Sequence, residues 1–415
     1  MTLTARGYKT ELRPTKAQGE LFAKACGIAR FAYNWGLERN NNVYLWNQLP
    51  HPPLKYESPV DQHRILNTKK AKDYPWMYEV SKCAPQEALR DLGSAFHNFL
   101  MRRDRFRWPS YKNRHGAKQS FTLTGAVHVK DRAIRLPTFG WVKLKERGYL
   151  PRSRVLYATV SKRAGRWFVS VGVRREKVRV PENDDGPVAG VDWGIIHPAT
   201  VSDGTTLERP RLERLKWQER HAQKALARKA KGSKNRLKSL LRHQKIWYRI
   251  TNIRLDRLHK FTTMLARTKS VVVVEDLAAS KLARNHSLAG AIYGGAPYEM
   301  RRQLEYKTKW YGSRLVVAPR NYPSTKMCSG CGGVKEEMQL DERVFRCEVC
   351  GLTINRDLNA AINLANYYYG TASSAGRACL MREVTVPLGR CPQVKQEERS
   401  GLDDHKTQNG SGLDR

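Results

Sequence analysis

This chain has no long apolar run. Its most uniform one is the four valines at 271–274, which Glu275 ends, far short of the roughly 20 apolar residues that cross a bilayer. The opening MTLTARGYKTELRP has no apolar core, so it does not read as a secretory signal. The expectation is a cytoplasmic protein with no membrane partner. Acidic residues are scarce: 38 Asp and Glu stand against 76 Lys and Arg, a net charge of +38. Such a balance favours a polyanionic partner, whose phosphates the cations neutralise with release of counterions. The basic residues are spread over many segments instead of one amphipathic helix, which argues against a membrane-surface role. No GxxxxGK[ST] loop is present, which removes P-loop ATP hydrolysis, and no Ser/His/Asp order stands out. Cysteines number eight in 415 residues. In a reducing compartment they read as metal ligands or free thiols, not disulfides.

A chain of this length accommodates two to four compact units. Residues 6–13 alternate as a strand, and Pro14-Thr15 open a helix. Its apolar positions Leu21, Phe22, Ala25, Ile28, Ala29, Ala32 and Trp35 keep helical spacing. A proline-rich loop spans 45–60, and helical patterns return at 60–72 and 84–103, so 17–115 reads as a helical lobe. Within it, residues 101–119 carry seven Lys/Arg, one acid and interleaved aromatics, a pattern suited to phosphate contacts and base stacking. Four strand-like stretches between 120 and 180 predict a small β-barrel, with the strand at 6–13 as a further member and the helical lobe as its insertion.

PENDDGP (181–187) reads as a linker. Two adjacent strands follow, GPVAGVDWG and HPATVSDG. A helical hairpin over 211–269 breaks at KGSK (231–234) and holds nineteen Lys/Arg against three acids. Next come a strand (SVVVVEDL), a helix (YEMRRQLEYKTKWYG), a strand (SRLVVAPR) and, after a cysteine-bearing segment, a last helix (RDLNAAINLANYYY). From 371 the composition turns to Gly, Ser and charge without periodicity, which predicts a disordered tail. The domain partition is 1–16 and 116–183 for the barrel, 17–115 for the helical lobe, 184–326 and 352–370 for an α/β domain, 327–351 for a metal knuckle, and 371–415 for the tail.

Three acids carry the chemistry. Asp192 ends the strand VAGVD, Glu275 ends SVVVVE, and Asp357 begins the last helix. A carboxylate at the end of a buried strand is costly unless something positive meets it. Three such acids from distant segments can meet at one rim of a sheet and hold two divalent cations for in-line attack on a phosphate. Oxygen ligands suit Mg²⁺ or Mn²⁺. Taken singly, each acid also fits a turn or a helix start, and Asp276 competes with its neighbour. Glu275 is preferred because alternation points it to the side of Val273. His197, near Asp192, reads more simply as a polar residue after a strand.

Cys328-Ser-Gly-Cys331 and Cys347-Glu-Val-Cys350 are two CxxC pairs fifteen residues apart, with glycines at 330, 332, 333 and 351 to allow tight turns. Four thiolates give a closed tetrahedral Zn²⁺ site with no open position, hence a structural one. Lys326, Arg343 and Arg346 flank it as candidate nucleic-acid contacts. Cys26 and Cys83 sit in helical patterns as small core residues; Cys379 and Cys391 lie in the tail.

GVDWGIIHPATVSDG, VVVVEDL, RRQLEYKTKWYG, YPSTKMCSGCG…CEVCG and NRDLNAAINL, with ARFAYNW and RLPTFGWVK upstream, together resemble the TnpB family. Its members are encoded by insertion sequences and related to the small type V CRISPR effectors. The resemblance runs to about residue 370. It implies an α+β multidomain protein: an RNase H-like (RuvC) α/β nuclease domain with an inserted zinc ribbon, a wedge β-barrel and a helical recognition lobe. It implies an RNA-guided DNA endonuclease that cuts beside a short flanking motif, with Asp192, Glu275 and Asp357 as the catalytic acids holding Mg²⁺ (or Mn²⁺), and Cys328, Cys331, Cys347 and Cys350 holding Zn²⁺. Its partners would be a guide RNA from the transposon end and double-stranded target DNA, with a monomer on the RNA. Such a protein delegates sequence choice to base pairing. KYESP and SKCAPQEAL resemble the part that reads the flanking motif, which nominates Tyr56, Lys82, Gln86 and Thr122. Trp193 stands where a smaller aliphatic residue is common, and Asn355 where an acid or Gly is common. The alternative is an RNA-guided DNA-binding repressor without cleavage.

Overall fold

The structure, a computed structural model, describes residues 3–114, 119–176, 185–277, 296–339 and 342–374. Most of the linker at 181–187, and the tail beyond 374, lie outside the described residues, as do Cys379 and Cys391. Two compact units emerge: Met1–Arg179 with Leu212–Ile253, and Val180–Arg211 with Arg254–Arg415. Part of the helical hairpin therefore groups with the N-terminal half, whereas the sequence partition keeps 184–326 together.

In the first unit, β1 (Leu3–Arg13) leads into α1 (Lys16–Trp46). Thr15 and Gln18 form a reciprocal capping box at that start, the sequence-level signature of a helix N-terminus. α2 (Pro59–Asp73), a short 3-10 turn and α3 (Cys83–Met101) complete the helical insertion, and six strands follow: β2 (Ser120–Thr124), β3 (His128–Val129), β4 (Ala133–Leu136), β5 (Gly140–Leu144), β6 (Val155–Arg163) and β7 (Arg166–Glu176). They form one seven-stranded antiparallel sheet in the order β2-β6-β7-β1-β5-β4-β3. β1 pairs with β7 from Leu3↔Glu176 to Leu12↔Trp167, so the first strand closes against the last and the helices are inserted between β1 and β2. Among the described residues no pairing joins the edge strands β2 and β3. Phe22 of α1 fixes the insertion to the sheet: its ring lies 5.8 Å from Phe121, 5.1 Å from Phe139 and 5.2 Å from Trp167, distances at which aromatic pairs gain beyond their buried area. α4 (Glu213–Ala227) and α5 (Lys234–Thr268) flank the break at KGSK.

The second unit is built on a five-stranded sheet in the order β10-β9-β8-β11-β12. β8 (Val188–Asp192), β11 (Val271–Glu275) and β12 (Arg314–Ala318) run parallel, while β9 (Ala199–Val201) and β10 (Thr206–Leu207) add antiparallel pairs. The four valines of β11 are buried because both faces are covered, the usual reason a parallel strand reads as an unbroken apolar run. Val272 and Val274 pack with Leu258, Phe261 and Leu265 of α5 and with Met300 and Leu304 of α6 (Pro297–Tyr311). Val271 and Val273 pack with Leu364 of α7 (Arg356–Ser374). α7 includes the first four residues, 371–374, of the expected tail. α5 and α6 are joined by a buried polar cluster: Lys307 Nζ donates to the His259 carbonyl and to Thr262 Oγ1, both at 2.7 Å.

Candidate metal centres

Asp192, Glu275 and Asp357 all fall in the second unit. Asp192 is the last residue of β8, beside β11, whose last residue is Glu275. Asp357 sits in the first turn of α7, and α7 lies directly on β8. Gly190 makes that approach close: a β-carbon there would sit 2.5 Å from the Ala365 amide nitrogen and overlap the Ala361 carbonyl. At Gly194, just past β8, a β-carbon would lie 3.2 Å from Asp357 Oδ2. Asp192 and Asp357 are each 8% exposed.

Burial pushes the Asp192 carboxyl well above the usual range, and the neighbouring charges of Asp357 and then Glu275 push it further; Arg356 opposes them. Burial also raises Glu275, with Asp276 adding to it. Like charges held together out of water are unfavourable unless a cation joins them. Asp276 behaves in the opposite way. It takes an ion pair from Arg301 at 2.6 Å and another from Arg320 at 2.9 Å, and these hold its carboxyl below the usual range. Of the two adjacent acids, Asp276 is already neutralised and Glu275 is the one that bears on Asp192. Hard oxygen donors in this arrangement fit Mg²⁺ or Mn²⁺.

The four cysteines converge more tightly. Their sulfurs all lie within 4.8 Å of one another, the one cluster of potential metal-binding side chains among the described residues to do so. Gly332 and Gly351 adopt φ of 77° and 74°, turning each knuckle so that the Gly332 N–H donates to the Cys328 carbonyl (3.0 Å) and the Gly351 N–H to the Cys347 carbonyl (3.1 Å). Burial pushes the Cys347 thiol up, but the backbone N–H groups of Cys350 and Val349 and the neighbouring thiols outweigh it and hold the thiol below the ordinary range, while burial and the shared hydrogen bonds hold Cys328 above it. Thiols that shift one another in opposite directions are relieved together when a metal replaces their protons. Four sulfurs at this spacing fit Zn²⁺ in a closed site. A short hairpin, β13 (Val344–Arg346) with β14 (Thr353–Asn355), spans the second knuckle.

Other nominated residues fare differently. Lys82 and Gln86 stand at the start of α3 and Thr122 on β2, elements tied where Cys83 Sγ and the Thr124 carbonyl lie 3.5 Å apart. Thr122 Oγ1 lies 3.0 Å from Thr159 Oγ1 on β6. Tyr56 is exposed in the loop before α2. In the 101–119 stretch Trp108 is half-buried among aromatics of its own chain. Its indole donates to Asn41 Oδ1 at 3.0 Å and its ring packs against Phe96, Phe99 and Tyr44; Phe106 and Tyr111 are the exposed aromatics there.

Sequence reasoning missed three groups at the site. Arg356 offsets Asp192, and only its position beside Asp357 signalled it. Asn355 caps α7, its Oδ1 accepting from the N–H groups of Asp357 (3.0 Å) and Leu358 (3.2 Å). Asn359 and Asn363 bond the knuckle backbone; two asparagines in an alanine-rich helix were the available signal.

Residues 298–364 match a family described as "Cas12f1-like, TNB domain", residues 168–286 one described as "Probable transposase", and residues 1–47 one described as "Helix-turn-helix domain". The last stretch folds here as a strand and one long helix. A protein of Streptomyces pristinaespiralis named an RNA-guided DNA endonuclease is 34% identical over 408 residues, covering 96% of this chain and 97% of that one. The Escherichia coli K12 protein named RNA-guided DNA endonuclease InsQ is 31% identical over 411 residues, covering 94% and 97%. A solved Cas12f1–sgRNA–target DNA complex shares the fold at a TM-score of 0.51 and 15% identity, covering 85% of this chain and 83% of that one. With relatives this similar over nearly their whole length, the chain belongs to the TnpB family of IS605-type insertion sequences.

Proposed function

We propose that this protein is an RNA-guided DNA endonuclease encoded by a transposon, cutting target DNA beside a short flanking motif by metal-dependent phosphodiester hydrolysis. The observation that carries the reading is Asp192, buried at the end of β8 with its carboxyl raised by both Asp357 and Glu275. The strand order supports an RNase H-like (RuvC) domain: three parallel strands flanked by an antiparallel pair, with acids at two adjacent strand ends and on the helix crossing them. Two divalent cations, when bound, would activate water and stabilise the leaving oxygen. Asp192, Glu275 and Asp357 would hold them, and Arg356 would temper the acids' repulsion. The cysteine knuckle, loaded with Zn²⁺, would be structural. We read the seven-stranded sheet as the wedge barrel and α1–α3 as the recognition lobe, with Tyr56, Lys82 and Gln86 of the lobe and Thr122 of the barrel strand β2 at the flanking motif.

The partners in this reading are a guide RNA from the transposon end and double-stranded DNA, in the cytoplasm, with one protein chain per RNA. The basic hairpin over 211–269 suits backbone contacts to a heteroduplex. Retention of all three acids in the sequence favours cleavage over the non-cleaving repressor. Sequencing the RNA that co-purifies with the expressed protein tests the guided reading. A discrete species from the transposon end is expected, and exchanging its targeting segment should move the cut to the matching DNA. Random cellular RNA, or cutting indifferent to that segment, would reject guidance.

A further inference from the structure

We propose that Asn359 and Asn363 are positioning residues that lock the cysteine knuckle to the start of α7, so that zinc occupancy sets the alignment of Asp357. This rests on the nuclease reading of the three acids.

The two asparagines lie two and six residues beyond Asp357, one helical turn apart, and are 0% and 1% exposed. Asn359 Oδ1 accepts the Ser329 N–H at 2.9 Å, and its Nδ2 donates to the Met327 carbonyl at 2.7 Å. Asn363 Nδ2 donates to the same Met327 carbonyl at 2.6 Å and to the Ser324 carbonyl at 2.8 Å. Met327 precedes Cys328, and Ser329 lies inside the first CxxC pair. The side chains of one helix face therefore hold the backbone of the turn that presents Cys328 and Cys331.

Helix stability does not account for them. Asparagine is a weak helix former, and its neighbours Ala360, Ala361, Leu364 and Ala365 are buried apolar residues. Leucine at either position would bury more apolar surface. A buried amide is tolerated where its partners have a fixed geometry, and here those partners belong to a loop whose shape the metal dictates. The knuckle's own core is small, built on Cys328, Phe345 and Cys347, so its fold follows from its ion. The rest of the first turn is tied in the same direction, since the Arg356 N–H donates to the Arg343 carbonyl at 2.9 Å. With zinc bound, the loop presents two carbonyls and an N–H to α7 in register. With zinc gone, that register is lost and the first turn of α7, Asp357 included, loosens. Coupling of this kind is reciprocal: cutting the clamp must also weaken zinc retention.

The test uses the full chain with its guide RNA and compares Asn359→Ala, Asn363→Ala and the double variant with wild type. Zinc release to a chromogenic chelator should be about tenfold faster in the double variant, as expected for the loss of buried hydrogen bonds. Amide exchange over 356–364 should speed up. Half-maximal cleavage should need about tenfold more Mg²⁺, with the rate recovering at saturation. Asn363→Ala, which leaves both Asn359 bonds in place, keeps the test alive if the double variant does not fold. Unchanged zinc release, or faster release with wild-type Mg²⁺ dependence, overturns the proposal. Asp192→Ala run alongside separates the readings. If it cleaves, the nuclease assignment fails, while zinc release and amide exchange still judge the clamp.

Discussion

Gly190 of β8 lies against Ala361 of α7 with no room for even a methyl group between them. Asp192 is two residues beyond Gly190, and Asp357 is one turn before Ala361, so this backbone contact sets the separation of two of the three acids. Packed interiors do not yield smoothly to such an intrusion. Gly190→Ala should push α7 away and cut the single-turnover cleavage rate by about a hundredfold, the scale expected of an ångström-level misplacement. Guide-RNA binding should hold. A variant that cleaves at the wild-type rate would show that the acids do not depend on this contact.

Adjacent Glu275 and Asp276 make a direct comparison. Glu275→Gln should abolish cleavage, a loss of about a thousandfold or more, as for a group needed in the transition state. Asp276→Asn gives up its ion pairs with Arg301 and Arg320. Exposed pairs of this kind contribute little, so its rate should stay within about tenfold. The reverse ranking would assign the site to Asp276.

Metal-free stability should rise when Asp192 is made neutral. Its carboxyl is raised in the folded state, so ionising it near neutral pH opposes folding, and that cost disappears as pH falls through the raised value. Asp192→Asn should therefore melt higher than wild type at pH 7.5 in chelator, by roughly a few degrees, with the difference shrinking as the solution is acidified. Added Mg²⁺ should stabilise wild type and leave the variant unmoved. Equal melting temperatures across that range would mean that the acids are not forced together.

Lys307 offers a test with the pH axis reversed. Burial brings its amine down to about 8, while the unfolded chain retains the ordinary value near 10.5. Between those values the unfolded state binds more protons, so stability contributed at this position rises with pH. Compared with Lys307→Met, wild type should gain stability from pH 8 to pH 10. Parallel curves in denaturant titrations would refute the assigned direction.

Much of this was legible in the chain and some was not. The valines of β11, the CxxC spacing and the Thr15 cap are local signals tied to local causes, and they placed the strands, the knuckle and α1 correctly. Which aromatics of the 101–119 stretch face solvent was not legible, because an aromatic among cations looks the same whether it is free or packed; Phe96, Phe99 and Tyr44, far off in sequence, pack against Trp108, while Phe106 and Tyr111 stay exposed. Asn355 was passed over as a minor departure, yet it caps α7, and Asn355→Ala should cost about 1 kcal/mol of helix stability. Alternation already favoured Glu275 over Asp276, but that Arg301 and Arg320 neutralise Asp276 could not be read from one strand. The grouping of 212–253 with the N-terminal unit likewise depends on packing that composition does not encode.

Cleavage by the purified ribonucleoprotein on a guide-matched duplex in Mg²⁺, wild type beside Asp192→Ala, tests the central claim most directly. Wild type should cut both strands and the variant neither, while both bind the target alike. Equal cutting by the two, or tight target binding by wild type with no nick in Mg²⁺ or Mn²⁺, would contradict it.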